Sequence, residues 1–187
     1  MSRLILGFTG EAGSGKDAAA QYLHQHYGAY IHTFSTPLRD LLERLYLPIT
    51  RPHLSHLSTS LRALFGEELF GHVIMNDIKE QTHPITVVTG IRRIEDMVGL
   101  EESPDFHLMY IDATPEMRYA RIHTRGQNED DASKTYEEFL KEGTLETEMT
   151  IRTLRSRADQ TLDNNGAVEE LYTKLDALMK TYGYEKG

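Results

Sequence analysis

Eight residues near the start of the chain, Gly10-Glu11-Ala12-Gly13-Ser14-Gly15-Lys16-Asp17, restrict the fold more than any other segment. They follow the spacing G-x-x-x-x-G-K. Before them runs a short apolar stretch, Leu4 to Phe8, and after them Ala20, Leu23 and Tyr27 recur at helical spacing up to Gly28. The first reads as a buried strand, the second as a helix with Gly28 as its C-cap. Between the two, glycines let backbone N–H groups curl inward around phosphate oxygens. The helix starting at Lys16 adds its N-terminal N–H groups and the positive end of its dipole. The lysine ammonium reaches the β- and γ-phosphates of a nucleotide. Gly10, Ala12, Gly13, Ser14, Gly15, Lys16, Asp17 and Ala18 are therefore the expected ATP-binding residues, with Lys16 also catalytic. Asp17 departs from the Ser or Thr usual at that position. A carboxylate can hold Mg²⁺ directly or through water, which makes Asp17 the candidate metal ligand; it could equally serve only to complement the helix dipole.

Strand-like and helix-like segments alternate along the rest of the chain. Strands are expected at Tyr30 to Phe34, Pro84 to Thr89, His107 to Asp112 and, weakly, Thr161-Leu162. A helix opens at Ser35-Thr36-Pro37 with a capping hydroxyl, and Leu38, Leu41, Leu42 and Leu45 share its apolar face. Residues 47 to 56, with two prolines and two histidines, read as a loop. Further helices are expected to Gly66, over 67 to 80, from Pro115, over 134 to 158, and from Val168 to Tyr182. The pattern predicts an α/β fold: a parallel five-stranded sheet wrapped by helices on both faces. Ligands bind such folds at the carboxyl ends of the strands.

At 187 residues the chain has the length of one domain. Twenty Lys and Arg against 29 Asp and Glu give a net charge of −9, which argues against duplex nucleic acid as a partner. A local arginine cluster can still attract a small anion. No cysteine is present, so disulfides, thiolate metal sites and cysteine nucleophiles are excluded. The apolar start is too short for a secretory core, and no run approaches a membrane span. The expectation is a cytoplasmic protein, monomer or homodimer, with a small-molecule substrate and no membrane partner.

Arginines gather near the predicted carboxyl ends. Arg39 and Arg62, on the helices after the second strand, are candidate acceptor-binding residues. Arg92, directly after the third strand, is both a candidate acceptor ligand and a catalytic residue, its planar fork suiting phosphate; the alternative is a loop arginine paired with Glu95 or Asp96. Arg118, Arg121 and Arg125 share one helical face. They are expected either to form a lid over the transferred phosphate, facing a solvent-filled cleft, or to pair with Asp130 and Asp131. Neither His24/His26 nor His53/His56 has a third ligand at metal-site spacing.

Gly7 to Lys16, Thr89-Gly90-Ile91-Arg92, Ala113 to Arg121, Arg125-Gly126 with Asp130-Asp131, and Asn164-Asn165-Gly166 together resemble the adenylate-kinase-related P-loop proteins of archaea, within the nucleoside monophosphate kinase group. The Gly-Lys-Asp loop followed by Phe34 to Leu38 also resembles phage deoxynucleoside monophosphate kinases and animal phosphomevalonate kinases, and dephospho-CoA kinase is a further relative. The likeness implies a single P-loop kinase domain over 1–187, with a helical acceptor-binding region at about 35–82 and a lid at about 118–145. It implies ATP and Mg²⁺, catalytic Arg121 and Arg125, and Arg118 near the nucleotide, with Asn164 and Gly166 along the adenine edge. Thr89 stands where those archaeal proteins usually have Asp. The implied activity is in-line phosphoryl transfer from ATP to a nucleoside or deoxynucleoside monophosphate. The alternatives are a dephospho-CoA or phosphomevalonate kinase, and a nucleotide-binding switch with weak ATPase activity.

Overall fold

A computed structural model describes residues 3–125, 135–144 and 146–187. Five strands, β1 (Leu4–Thr9), β2 (Tyr30–Thr33), β3 (Ile85–Thr89), β4 (Phe106–Asp112) and β5 (Gln160–Asp163), pair in the order β2-β3-β1-β4-β5. All four pairings are parallel. The helices are α1 (Lys16–Tyr27), α2 (Thr36–Arg44), α3 (Arg51–Phe65), α4 (Leu69–Glu80), α5 (Pro115–Arg125), α6 (Tyr136–Glu142), α7 (Glu146–Thr153) and α8 (Val168–Thr181). Among the described residues no helix is long and apolar enough to cross a membrane.

β1 is the central strand and is buried throughout, as its unbroken apolar run predicts. Alternate residues serve opposite faces. Leu4, Leu6 and Phe8 join a core with Leu23 of α1 and Leu171 and Leu175 of α8. Ile5 joins a second core with Leu38 of α2, Phe70 and Ile74 of α4, and Leu108 of β4. Each fully buried leucine-sized side chain contributes about 1.5–3 kcal/mol. Gly7 has no room for a side chain: a Cβ would lie 2.7 Å from the Ile91 Cδ1 and 2.8 Å from the Phe106 ring. That close approach lets the segment after β3 pack against β1. β1 connects through α1 toward the β2–β3 side, whereas β3 connects across to β4 on the other side of β1, and at this reversal a crevice opens at the carboxyl end of β1.

Several local expectations are corrected. Residues 51 to 56 are helical: Thr50 is extended and its side chain accepts from the His53 N–H at 3.3 Å, while a proline sits in the first turn. Proline is tolerated there because the first amides of a helix have no intrahelical partner. His53 and His56 therefore lie on α3. Ser35 precedes α2 in a helical conformation, and its hydroxyl contacts Thr33 Oγ1 at 2.9 Å instead of capping the helix; a capping side chain normally needs extended backbone. Leu38 and Leu42 are buried, but Leu41 is 42% and Leu45 58% exposed, since α2 ends at Arg44 and packs through one narrow edge.

Candidate functional site

The glycine-rich segment leaves β1 at the crevice. Gly10 and Gly13 have φ of 142° and 79°, conformations that favour glycine. A Cβ on Gly13 would lie 2.7 Å from the Arg118 carbonyl oxygen, and one on Gly10 would run into the Ile111 carbonyl. The Ser14 N–H closes the turn on the Glu11 carbonyl at 3.1 Å. The Lys16 ammonium donates to the Gly10 and Glu11 carbonyls at 2.6 and 2.9 Å. The Ser14 hydroxyl is buried with no hydrogen-bond partner among the described residues. A cradle that side chains would fill, holding a cation and an unsatisfied buried hydroxyl, fits a phosphate group. Asp17 is exposed in the first turn of α1, and among the described residues no group of three His, Asp or Glu could hold a metal by itself.

The second position of this loop is a charged hub. Glu11 Oε1 accepts from Arg118 Nη2 at 3.1 Å, and from Arg152 Nε and Nη2 at 2.9 and 2.8 Å. Arg118 also donates to the Ala113 and Ala12 carbonyls at 3.2 and 3.4 Å, and its guanidinium lies 5.3 Å from the centre of the Phe139 ring. Arg155 pairs with Asp112 at 2.8 Å. Glu11, Asp112, Arg118, Arg152 and Arg155 line a cleft of about 420 Å³. Tyr110 lies beneath it; burial, then the charges of Glu11 and Asp112, push its phenol up to about 12. It therefore stays neutral at ordinary pH.

Two of the three predicted lid arginines, Arg118 and Arg121, are held by protein groups instead of facing a solvent-filled cleft. Arg118 is 3% exposed because the nearly buried Glu11 needs a counter-charge. Arg121 donates to the Asn164 carbonyl at 2.9 Å and the Gly166 carbonyl at 3.4 Å. It thereby occupies the backbone groups expected along the adenine edge. The Asn164 side chain donates to the Ser14 carbonyl at 2.7 Å and braces the loop from behind. The Arg125 side chain, Asp130 and Asp131 lie outside the described residues. Sequence reasoning missed Glu11, Arg152 and Arg155. The i, i+3 spacing of the last two was a usable signal, the same one that drew attention to Arg118 and Arg121.

On the β3 side, Arg39 is exposed, its Nε 3.4 Å from Ser35 Oγ. Arg62, expected as an acceptor ligand, is buried instead, with Nη2 2.6 Å from Asp96 Oδ1 and a further bond to the Glu67 carbonyl. The other Asp96 oxygen accepts the backbone N–H groups of Arg92 and Arg93 at 2.9 and 3.1 Å. The expected alternative of an Arg92 side chain paired with Glu95 or Asp96 is not what forms: the Asp96 carboxylate binds the Arg92 backbone N–H instead. Arg93 pairs with Glu67 at 2.9 Å. Arg92 is exposed at the carboxyl end of β3, and its guanidinium has no partner among the described residues.

No family model matches the chain. It is 27% identical to a UPF0200 protein of Sulfurisphaera tokodaii, over 94% of this chain and 96% of that protein. It is 26% identical to one of Methanoculleus marisnigri, over 96% and 97% respectively. Among solved structures, TT1252 from Thermus thermophilus superposes with a TM-score of 0.61 at 21% identity, covering 97% of this chain and 98% of that one. Shikimate kinase from Bacteroides thetaiotaomicron gives 0.58 at 12% identity, covering 96% and 98%. The chain is thus similar over nearly its whole length to archaeal UPF0200 proteins, and it shares its fold with small-molecule kinases.

Proposed function

We propose that this chain transfers the γ-phosphoryl group of ATP to a small phosphate-bearing acceptor, a nucleoside or deoxynucleoside monophosphate. The observation that carries the reading is the glycine cradle at the carboxyl end of the central strand, with the Lys16 ammonium inside it and the Ser14 hydroxyl unsatisfied beside it. When bound, ATP with Mg²⁺ supplies the activated phosphoryl group and neutralises part of its charge. The chain supplies the rest. Loop amides and Lys16 hold the phosphates, Lys16 exchanging its two loop carbonyls for phosphate oxygens. Asp17, at the start of α1, would take a metal ligand position alongside those oxygens. Arg92, whose guanidinium has no partner among the described residues, takes the acceptor phosphate. Arg118 and Arg152 bring positive charge to the loop, and the region at about 118–145 excludes water. An acceptor phosphate is already anionic, so no general base is required, and positioning with charge stabilisation provides the rate.

The test is a phosphotransfer assay with ATP and Mg²⁺ over ribo- and deoxynucleoside monophosphates, dephospho-CoA, phosphomevalonate and shikimate. Transfer to a monophosphate supports the reading. Release of inorganic phosphate at the same slow rate with every acceptor would replace it with a nucleotide switch. The Glu11 clamp favours that second reading to the extent that it already occupies Arg118 and Arg152.

A further inference from the structure

We infer that Arg62 and Asp96 form a positioning pair that presents Arg92 to an acceptor phosphate. The inference deepens the proposed phosphotransfer and rests on its phosphate-bearing acceptor. Three arginines surround the segment after β3, and two of them are neutralised: Arg62 by Asp96 and Arg93 by Glu67. Of the three, only Arg92 has its guanidinium exposed and without a partner among the described residues.

The backbone beneath Arg92 is fixed at three points. The Thr9 hydroxyl donates to the Ile91 carbonyl at 2.9 Å, tying the segment to the last residue of β1, and Asp96 Oδ2 accepts the N–H groups of Arg92 and Arg93. Asp96 is 2% exposed, so its charge must be compensated from within. Arg62 does this from α3, with its guanidinium 4.9 Å from the centre of the Phe70 ring.

The chemistry requires a carboxylate. Its two oxygens accept on two edges, one toward Arg62 and one toward the two amides. Asparagine has one acceptor edge and one donor edge, so it must set an N–H against either the guanidinium or the backbone amides. The pair therefore converts a charge on α3 into a fixed backbone under Arg92, and lets α3 sense whether the acceptor loop is in place.

The experiment follows the Arg92 side-chain Nε–H resonance of the ¹⁵N-labelled protein during titration with inorganic phosphate. Wild type should give a saturable shift at that resonance. Asp96→Asn should weaken it roughly ten- to a hundredfold, the scale of a misplaced binding group, and should speed exchange of the Arg92 and Arg93 backbone amides. Arg62→Met keeps contact with the Phe70 ring while removing the charge. It gives the same readout if Asp96→Asn fails to fold. Unchanged phosphate affinity in a folded variant, or no response of Arg92 in wild type, overturns the assignment. The titration needs no turnover, so an enzyme assay that fails with every acceptor would sink the phosphotransfer reading and leave this result to stand by itself. Where an acceptor is turned over, Asp96→Asn should raise its KM while leaving ATP affinity near wild type, a split that general loosening of the fold would not produce.

Discussion

Lys16→Ala and Arg118→Ala test two opposite kinds of cation. Lys16 donates to two loop carbonyls, and its removal should abolish phosphotransfer and weaken ATP binding while the protein stays folded. Arg118 is buried against Glu11. Breaking such a pair costs about 3–5 kcal/mol, and the lower figure applies because Arg152 still neutralises Glu11. Arg118→Ala should therefore lower the unfolding free energy in urea by about 3 kcal/mol as well as reducing turnover. A variant of unchanged stability would show that Arg118 is not structural. Asp17 is tested by magnesium titration of turnover: Asp17→Asn should raise the half-saturating Mg²⁺, and Asp17→Thr should be tolerated better than Asp17→Ala, since a hydroxyl can return to the metal. Equal magnesium dependence in all variants would assign Asp17 to the helix dipole alone. The residues of the loop were legible because their chemistry is local, a strand, a tight glycine turn and a helix start in sequence. Glu11 was not, because its partner Arg152 lies 141 residues away, and nothing in a loop sequence announces that a variable position will be buried.

At the scale of elements, α1 and α8 are joined behind the sheet by a polar clasp. Asp176 accepts from the Tyr22 and Tyr27 hydroxyls at 2.7 and 2.8 Å and from Lys186 at 3.1 Å, and Tyr22 stacks on Tyr172 with centroids 4.1 Å apart. Burial opposes ionisation of Asp176, but hydrogen bonds from Tyr22, Tyr27 and Lys186 outweigh it and hold the carboxyl below its ordinary 3.8. This contribution to stability is present above pH 3.8 and is lost as pH falls through the lower folded value. Tyr27 moves the other way: burial, then Asp176, push it up to about 12 from 10.0. Its contribution is present below pH 10 and is lost as pH rises toward 12. Melting temperature against pH should therefore fall at both ends. Asp176→Asn should flatten the acid limb while moving the Tyr27 titration, followed by tyrosinate absorbance, only part of the way back, because burial remains. A Tyr27 titration at its ordinary value in wild type would remove the clasp. The helices that carry this contact were legible from apolar spacing alone, as α8 shows. The start of α3 is hidden in the sequence because proline and histidine are common in loops, while the same proline in a first turn behind the Thr50 cap is compatible with a helix.

For the molecule as a whole, alternation of elements predicted a parallel sheet but not which strands are neighbours. That order depends on pairings such as Leu6 with Val87 and Gly7 with Leu108, distant in the chain. The bracing of the loop is just as distant: the Ser14 carbonyl is held by Asn164, on the turn after β5, 150 residues later. A fragment ending before Gln160 keeps every residue of the glycine cradle and lacks its brace and its last strand. It should bind ATP far more weakly than the full chain, measured by calorimetry on both; equal affinity would show that the cradle is autonomous. The same bond makes the loop a sensor of the far edge of the sheet: on the proposed reading, any disturbance that pulls the turn after β5 away from Ser14 would be felt by the phosphate as a loosened grip, with no residue of the glycine segment itself altered.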